Sequence, residues 1–308
     1  MSQYSYSNRR RAQRSAYGAD EAEMASMREI SAPIDRGMQN DHLADAILDE
    51  SDADSLEARD LAYDTLSGEI RDELQRRREL LEDAYPFSVS DGSLRYRPSS
   101  SRAYEFFLTS ALGTNQQVQA WHELPRLFER VAAELVSRFF GEFANAHHVG
   151  SHRDDGIHFK PAWVGIAEAT GEWAWHRDDD LPDSGPPSGD EGCDYLIHLQ
   201  SPDGRQTAQL FVLGQCSCGN DWENKLDDLS IPRLEKWFSG NGHIVPPVRT
   251  FATPLHITDT MLKESSRRAG LLFDRARLTM LAESLEDSVM KSFSSRLRSV
   301  VDTVAASL

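Results

Sequence analysis

Apolar positions recur at helical spacing from about residue 54 to residue 84, where Ala62, Leu66, Ile70, Leu74 and Leu81 share one face and Asp64, Arg71, Asp72, Gln75 and Glu79 share the other. Asp54 followed three residues later by Glu57 fits a helix start, and Tyr85-Pro86 supplies the stop, because the residue before a proline disfavours helical torsions. The stretch FSVSDGSLRYRP then alternates around an Asp-Gly pair, which predicts a short hairpin. Residues 103–141 form a second helical block with interruptions near Gly113-Thr114-Asn115 and Pro125. In its last piece Leu127, Phe128, Val131, Ala132, Leu135, Val136, Phe139 and Phe140 cover a broad apolar arc, with Arg130, Glu134 and Ser137 opposite. Glu129 falls inside that arc, so it either snorkels at the edge of a core or points into a site, since burying an unpaired charge is costly.

Residues 146–192 are rich in Gly, Pro, Asp, His and Trp and read as loops with one strand around 163–167. A cleaner pattern follows: a strand at 194–199, a turn at 201–205, and a second strand at 209–217 that is apolar on both faces and hence central in its sheet. Asn220 or Asp221 can cap a helix starting at Trp222. Further elements are a strand near 250–257, a helix after Asp259, a strand at 269–273 and a closing helical region over 277–308. The fold expected is α/β, a central mixed sheet flanked by helices, preceded by an α-helical N-terminal region. Along the chain this divides into a disordered basic tail (1–20), a helical N-terminal region (21–95) whose first part to residue 55 carries only weak helices, and a sheet-containing domain (96–308).

Composition narrows the partners. Fifty acidic against 33 basic residues give a formal charge of −17, which opposes loose attraction to phosphates. A nucleic-acid enzyme of this charge needs local cations, a divalent metal, or a protein partner subunit or homo-oligomer to supply the grip. Cys193, Cys216 and Cys218 are too few and too badly spaced for a disulfide framework, and no apolar run reaches the ~18–20 residues of a membrane span, so a cytoplasmic protein with no membrane contact is expected. Arg9, Arg10, Arg11 and Arg14 make the N-terminus basic, either as a solvated tail or as a contact to DNA or a partner.

Metal-assisted hydrolysis of a phosphodiester needs a hard cation held by oxygens and a group that orients water. If the chain turns on Asp203-Gly204 as a two-residue loop, Asp194 pairs with Leu213, and Gln215 and Ser217 share its face while Cys216 and Cys218 point away. Phe128-Glu129 on a helix, Gly192-Cys193-Asp194 at a strand start and Gln215-Cys216-Ser217 at the end of an apolar strand together resemble the PD-(D/E)XK nucleases, in particular the Mrr-type restriction endonucleases, in which Gln commonly replaces the second acid. The resemblance covers about residues 104–280 and implies a restriction-endonuclease-like core, Mg²⁺ (or Mn²⁺) as cofactor and DNA as substrate. It assigns Asp194 as principal metal ligand, Glu129 as a second builder of the metal site and Gln215 as an oxygen donor or water-orienting group. The motif lysine is replaced by Ser217; members of this fold relocate that lysine, and Lys225, about a turn into the next helix, is the candidate. GQCSCGNDWENK, like Tyr85-Pro86-Phe87 upstream, also resembles segments of proteins from bacterial defence loci, which implies a role against foreign DNA.

Other readings stay open. Without the lysine the same fold serves as an inactive scaffold or interaction subunit of a defence complex. Cys193, Cys216, Cys218 and His198 are zinc-ligand types, although no paired CxxC occurs and buried cysteines as small apolar residues account for them. His147, His148, His152 and His158 are placed in loops, with metal or DNA contact as the sharper alternative. Trp163, Trp173 and Trp175, interleaved with Arg153, Lys160 and Arg177, either pack a long loop or stack on exposed bases, and Asp178-Asp179-Asp180 argues for packing.

Overall fold

A computed structural model of the chain describes residues 3–34, 56–115, 124–150, 159–176 and 190–306. In chain order the elements are α1 (Gln3–Glu29), β1 (Ser31–Pro33), α2 (Leu56–Leu81), β2 (Phe87–Ser90), β3 (Ser93–Tyr96), α3 (Ala103–Asn115), α4 (Leu124–Phe139) and β4 (Ala144–His148). There follow α5 (Phe159–Thr170), β5 (Tyr195–Leu199), β6 (Leu210–Cys216), α6 (Ile231–Glu235), β7 (Val248–Ala252), α7 (Asp259–Ala269), β8 (Leu271–Phe273), α8 (Arg275–Glu283) and α9 (Asp287–Ala305).

These elements form two compact units. One gathers residues 1–113, 255–261 and 275–308; the other, 114–254 and 262–274, holds the five-stranded sheet. This differs from the linear partition expected at residues 20 and 95, and the reason is electrostatic. Arg275, from the C-terminal part of the chain, is fully buried and donates to both oxygens of Asp20 at 2.8 Å, while Arg77 reaches Asp20 at 2.7 Å and Glu23 at 3.0 Å. Two buried guanidiniums need buried carboxylates, and those lie on α1. The basic segment expected to be a disordered tail is therefore helical from Gln3, because Ala16, Ala19, Ala22, Glu23 and Ser26 repeat at three- and four-residue intervals and bury one face. The side chains of Arg9, Arg10 and Arg11 lie outside the described residues. The predicted helix over 54–84 is present as α2, and the Asp91-Gly92 turn joins β2 to β3 in a two-residue hairpin, both residues having positive φ as such a turn requires.

In the second unit the sheet order is β4-β5-β6-β7-β8, antiparallel across β4, β5 and β6 and parallel across β6, β7 and β8, so the expected mixed sheet is observed. Central β6 is apolar on both faces because both are covered. Residues of α4 pack on β4, β5 and β6, and an aromatic core containing Phe159, Trp163, Trp173, Trp237 and Phe238 packs with Leu196, Phe211 and Leu213. Gly214 is required within β6: a Cβ there would lie 1.9 Å from Cζ of Tyr195, whose hydroxyl is fixed by Thr250 at 2.9 Å.

Four expectations need correction. Residues 159–170 form a helix, not a strand, since Phe159, Trp163, Ile166 and Thr170 are buried at four-, three- and four-residue steps. The region expected to be loop also supplies edge strand β4, with His147 and His148 in it. The β5–β6 connection spans 200–209, so Leu213 pairs with Leu196 rather than with Asp194, and the turn in it closes from Gly204 N–H to Ser201 O around Pro202-Asp203. Where a helix is expected from Trp222 the chain makes a short 3₁₀ turn, Trp222–Lys225, with no side-chain cap from Asp221.

Candidate active site

Asp194 sits immediately before β5, and its main chain is held from two sides. Its N–H donates to Gly214 O at 2.8 Å, and its carbonyl accepts the N–H groups of Val149 and Gly150, each at 2.8 Å. Gly214 is also the register partner of Tyr195, so two consecutive residues face one, as in a β-bulge. This extra residue reverses the expected alternation. Cys193 and Leu196 both enter the aromatic core, whereas the Asp194 carboxylate accepts the main-chain N–H of Cys216 at 2.6 Å.

Glu129 reaches the same place from α4. A single point beside Gly150, where a Cβ would stand, lies 2.9 Å from Asp194 Oδ1 and 3.2 Å from Glu129 Oε2. The two carboxylates therefore converge on the bare backbone of Gly150. Both are buried, Asp194 being 8% and Glu129 7% exposed. Glu129 Oε2 is also 2.9 Å from His148 Nε2, which fixes it from β4. Burial, and then the Glu129 charge, holds the Asp194 carboxyl well above the ordinary carboxylate range; the Cys216 N–H and the Lys225 ammonium act in the opposite direction. Two acids forced together in a low-dielectric setting favour either a proton or a cation.

Lys225 and Glu129 line one pocket of about 520 Å³, with Thr114, Pro125, Asn220, Asp221 and residues 216–219. Lys225 Nζ lies 3.7 Å from Asp221 Oδ1. Ser217, 4% exposed, lines the same pocket.

Gln215 is not brought to the acids. Its Oε1 accepts the Leu229 N–H at 3.3 Å, and Leu229 belongs to the aromatic core with Cys193, Leu196 and Leu213. The bulge explains the separation, because it turns Asp194 to one face and leaves Gln215 on the other. Of the four predicted site residues, Asp194 and Glu129 meet, Lys225 lies close enough to act electrostatically on Asp194, and Gln215 has a structural partner instead.

The zinc alternative gains nothing here. Burial, and for all three the Asp194 charge, pushes the Cys193, Cys216 and Cys218 thiols well above their usual value, which disfavours thiolate ligation. No group of three or more His, Cys, Asp or Glu side chains capable of holding a metal occurs among the described residues. His147 instead stacks on His198 with ring nitrogens 3.0 Å apart, and burial lowers its pKa to about 4. Trp163 and Trp173 are buried core residues. His152, His158, Arg153, Arg177 and Asp178-Asp179-Asp180 lie outside the described residues. Gly150 carries no signal in the sequence, and His148, expected in a loop, lies in edge strand β4, whose burial does not alternate.

No protein-family model and no curated protein matches the chain. Among solved structures it is similar to the MspJI restriction endonuclease in complex with a 27-mer oligonucleotide, at 12% identity and a TM-score of 0.34, over 66% of this chain and 35% of that one. The chain thus spans about a third of that protein's length, and a likeness this slight carries neither fold nor activity.

Proposed function

We propose that the protein is a metal-dependent DNA endonuclease with a restriction-endonuclease-like core. The observation that supports this reading is the convergence of Asp194 and Glu129 at Gly150. Two converging carboxylates supply the hard oxygens that a divalent ion takes, and the cost of a buried charged Asp194, which raises its pKa, is offset when a cation takes the place of the proton. Asp194 and Glu129 would hold Mg²⁺ or Mn²⁺, which when bound supplies Lewis-acid stabilisation of a phosphoryl oxygen and acidifies water. His148 orients Glu129, the Cys216 N–H orients Asp194, and Lys225 presents positive charge to an incoming phosphate. Gln215 braces the Leu229 segment and has no part in the chemistry. The proposed setting is cytoplasmic defence against foreign DNA, with a partner subunit or second copy helping an acidic chain to hold DNA.

A second reading is favoured by Ser217 standing where the motif lysine is expected and by the charge of −17: the fold acts as a non-hydrolytic subunit of a defence complex. Incubating purified protein and its Asp194→Ala variant with supercoiled plasmid in Mg²⁺ or Mn²⁺ separates the two. The nuclease reading expects nicking or linearisation by wild type alone. Cleavage that survives Asp194→Ala refutes the site, and an inert wild type supports the subunit reading.

A further inference from the structure

Strand β4 is an outer strand of the five-stranded sheet, and one side of its main chain has no neighbour. The Gln200 N–H donates to Phe143 O and the Val149 N–H to Asp194 O, so residues 143, 145, 147 and 149 turn their main chain toward β5. Ala144, Ala146 and His148 turn theirs to the open side. There the Ala144 N–H is taken by Gly141 O at 3.2 Å, whereas the Ala144 carbonyl and the main-chain groups of Ala146 and His148 make no hydrogen bond among the described residues. Open edges are templates for pairing, and chains commonly guard them with a lysine, a proline or extreme shortness. The opposite edge, β8, has three residues. β4 has five, and the stretch FANAHHVG over 143–150 contains no lysine, arginine, proline or acid. Asn145 and Ala146 are exposed, and Phe143 at the start of the strand is 50% exposed.

We infer that the open side of β4 pairs antiparallel with β4 of a second copy of this chain, about a twofold axis at Ala146, so that the sheet runs through both copies. Charge selects that occupant. Two chains of net charge −17 repel each other, and a stretch without charged side chains is where they can meet. The register is self-complementary as well. Centring on Ala146 lets each Ala146 N–H meet the other's carbonyl and each His148 N–H meet an Ala144 carbonyl, the group that the Gly141 turn leaves unused. It also sets the exposed Phe143 opposite Val149, an aromatic and β-branched pair of the kind that stabilises adjacent strands. The pairing deepens the nuclease reading, and its effect on the site rests on that reading. His148, which holds Glu129 at 2.9 Å, passes from an edge to the interior of a continuous sheet, so the dimer fixes the acid pair more firmly than a lone chain does.

The test is sedimentation equilibrium of the full-length protein over a wide range of concentration, where wild type is expected to show a reversible monomer–dimer equilibrium. Ala146→Pro removes an outward N–H and leaves the bonds to β5 in place, since proline is tolerated on the free side of an edge strand. It is expected to weaken dimerisation about ten-fold, the loss of the two central hydrogen bonds, with the circular dichroism of wild type. Ala146→Lys and Ala146→Glu keep the N–H and oppose like charges across the axis. Each is expected to be monomeric alone, and the two mixed are expected to dimerise. A wild type that stays monomeric overturns the pairing and leaves the edge to another protein; a dimer that all three substitutions leave intact overturns it too. Neither result touches the nuclease reading, which stands or falls on plasmid cleavage by wild type and Asp194→Ala.

Discussion

Replacing Gly150 by alanine places a methyl carbon 2.9 Å from Asp194 Oδ1, 3.1 Å from Asp194 Cα and 3.2 Å from Glu129 Oε2. Comfortable separations between heavy atoms begin near ~3.5 Å, so several tenths of an ångström must be found. The main chain cannot supply them easily, because the Val149 and Gly150 N–H groups are both bonded to the Asp194 carbonyl at 2.8 Å. The carboxylates must move instead. Overpacking costs about 1–3 kcal/mol, and restricting the unfolded chain returns about 0.4–1 kcal/mol, which leaves a net loss on the order of 1–2 kcal/mol. The functional effect is larger than that loss implies, since a misplacement of about 1 Å at a reacting group lowers rates about 100-fold. Mn²⁺ affinity, read by electron paramagnetic resonance, is expected to fall about ten-fold, and plasmid cleavage with it. Gly165→Ala provides the control: nothing lies within 4 Å of its added carbon, and at this exposed position of α5 it is expected to stabilise by about 0.5–1 kcal/mol with metal binding unchanged. Mn²⁺ binding by Gly150→Ala equal to that of wild type, where Asp194→Ala abolishes it, would refute the convergence of the two acids.

Three further outcomes follow from the same geometry. Folded Asp194 binds its proton more tightly than the unfolded chain does, so its contribution to stability is present at low pH and is lost as pH rises through the raised value. Asp194→Asn is accordingly expected to melt higher than wild type at pH 8 without metal, by about 2–4 °C per kcal/mol recovered, and to lose the Mn²⁺-induced rise in Tm; a lower melting point contradicts the assignment. Arg77→Ala strands Asp20, Glu23 and Glu73 without one of their buried cations and is expected to lose about 3–5 kcal/mol in urea unfolding, a loss below about 1 kcal/mol showing that the network is dispensable. For His147 the unfolded state protonates first, so wild-type stability is expected to decline between pH 6.5 and about 4, and His147→Asn to flatten that decline, which pH-dependent denaturation will show.

What the sequence made legible was whatever a local period could encode. The α2 face, the Asp-Gly hairpin, the apolar β6 and the displaced Glu129 on α4 are each written in spacings of two, three or four residues. The failures share another origin. Residues 163–167 taken by themselves fit a strand; only the longer series from Phe159 to Thr170 shows the helix, and it begins directly after residues outside the described chain. The membership of α1 in the core depends on Arg275, 255 residues away from Asp20, a partnership that no window contains. The parity of Asp194 and Gln215 hung on a strictly alternating strand, and one extra residue opposite Gly214 was enough to send the two to opposite faces.

That same extra residue makes the site chemically coherent. With strict alternation, Asp194 would enter the Trp163 and Trp173 core, where a carboxylate has no partner and a metal no water. The bulge turns it to the ends of β6 and β7, where the antiparallel half of the sheet meets the parallel half and the chain leaves the strand through Ser217, Cys218 and Gly219. Diverging connections at such a point open a crevice, which is why ligands of open α/β sheets collect there. In a chain of net charge −17 an acidic crevice repels phosphate at a distance. On the proposed nuclease reading, binding of DNA then depends steeply on whatever neutralises Asp194 and Glu129 first. DNA binding in Ca²⁺ should accordingly exceed binding in EDTA by more for wild type than for a Glu129→Gln, Asp194→Asn double variant, whose crevice no longer needs a cation to admit an anion.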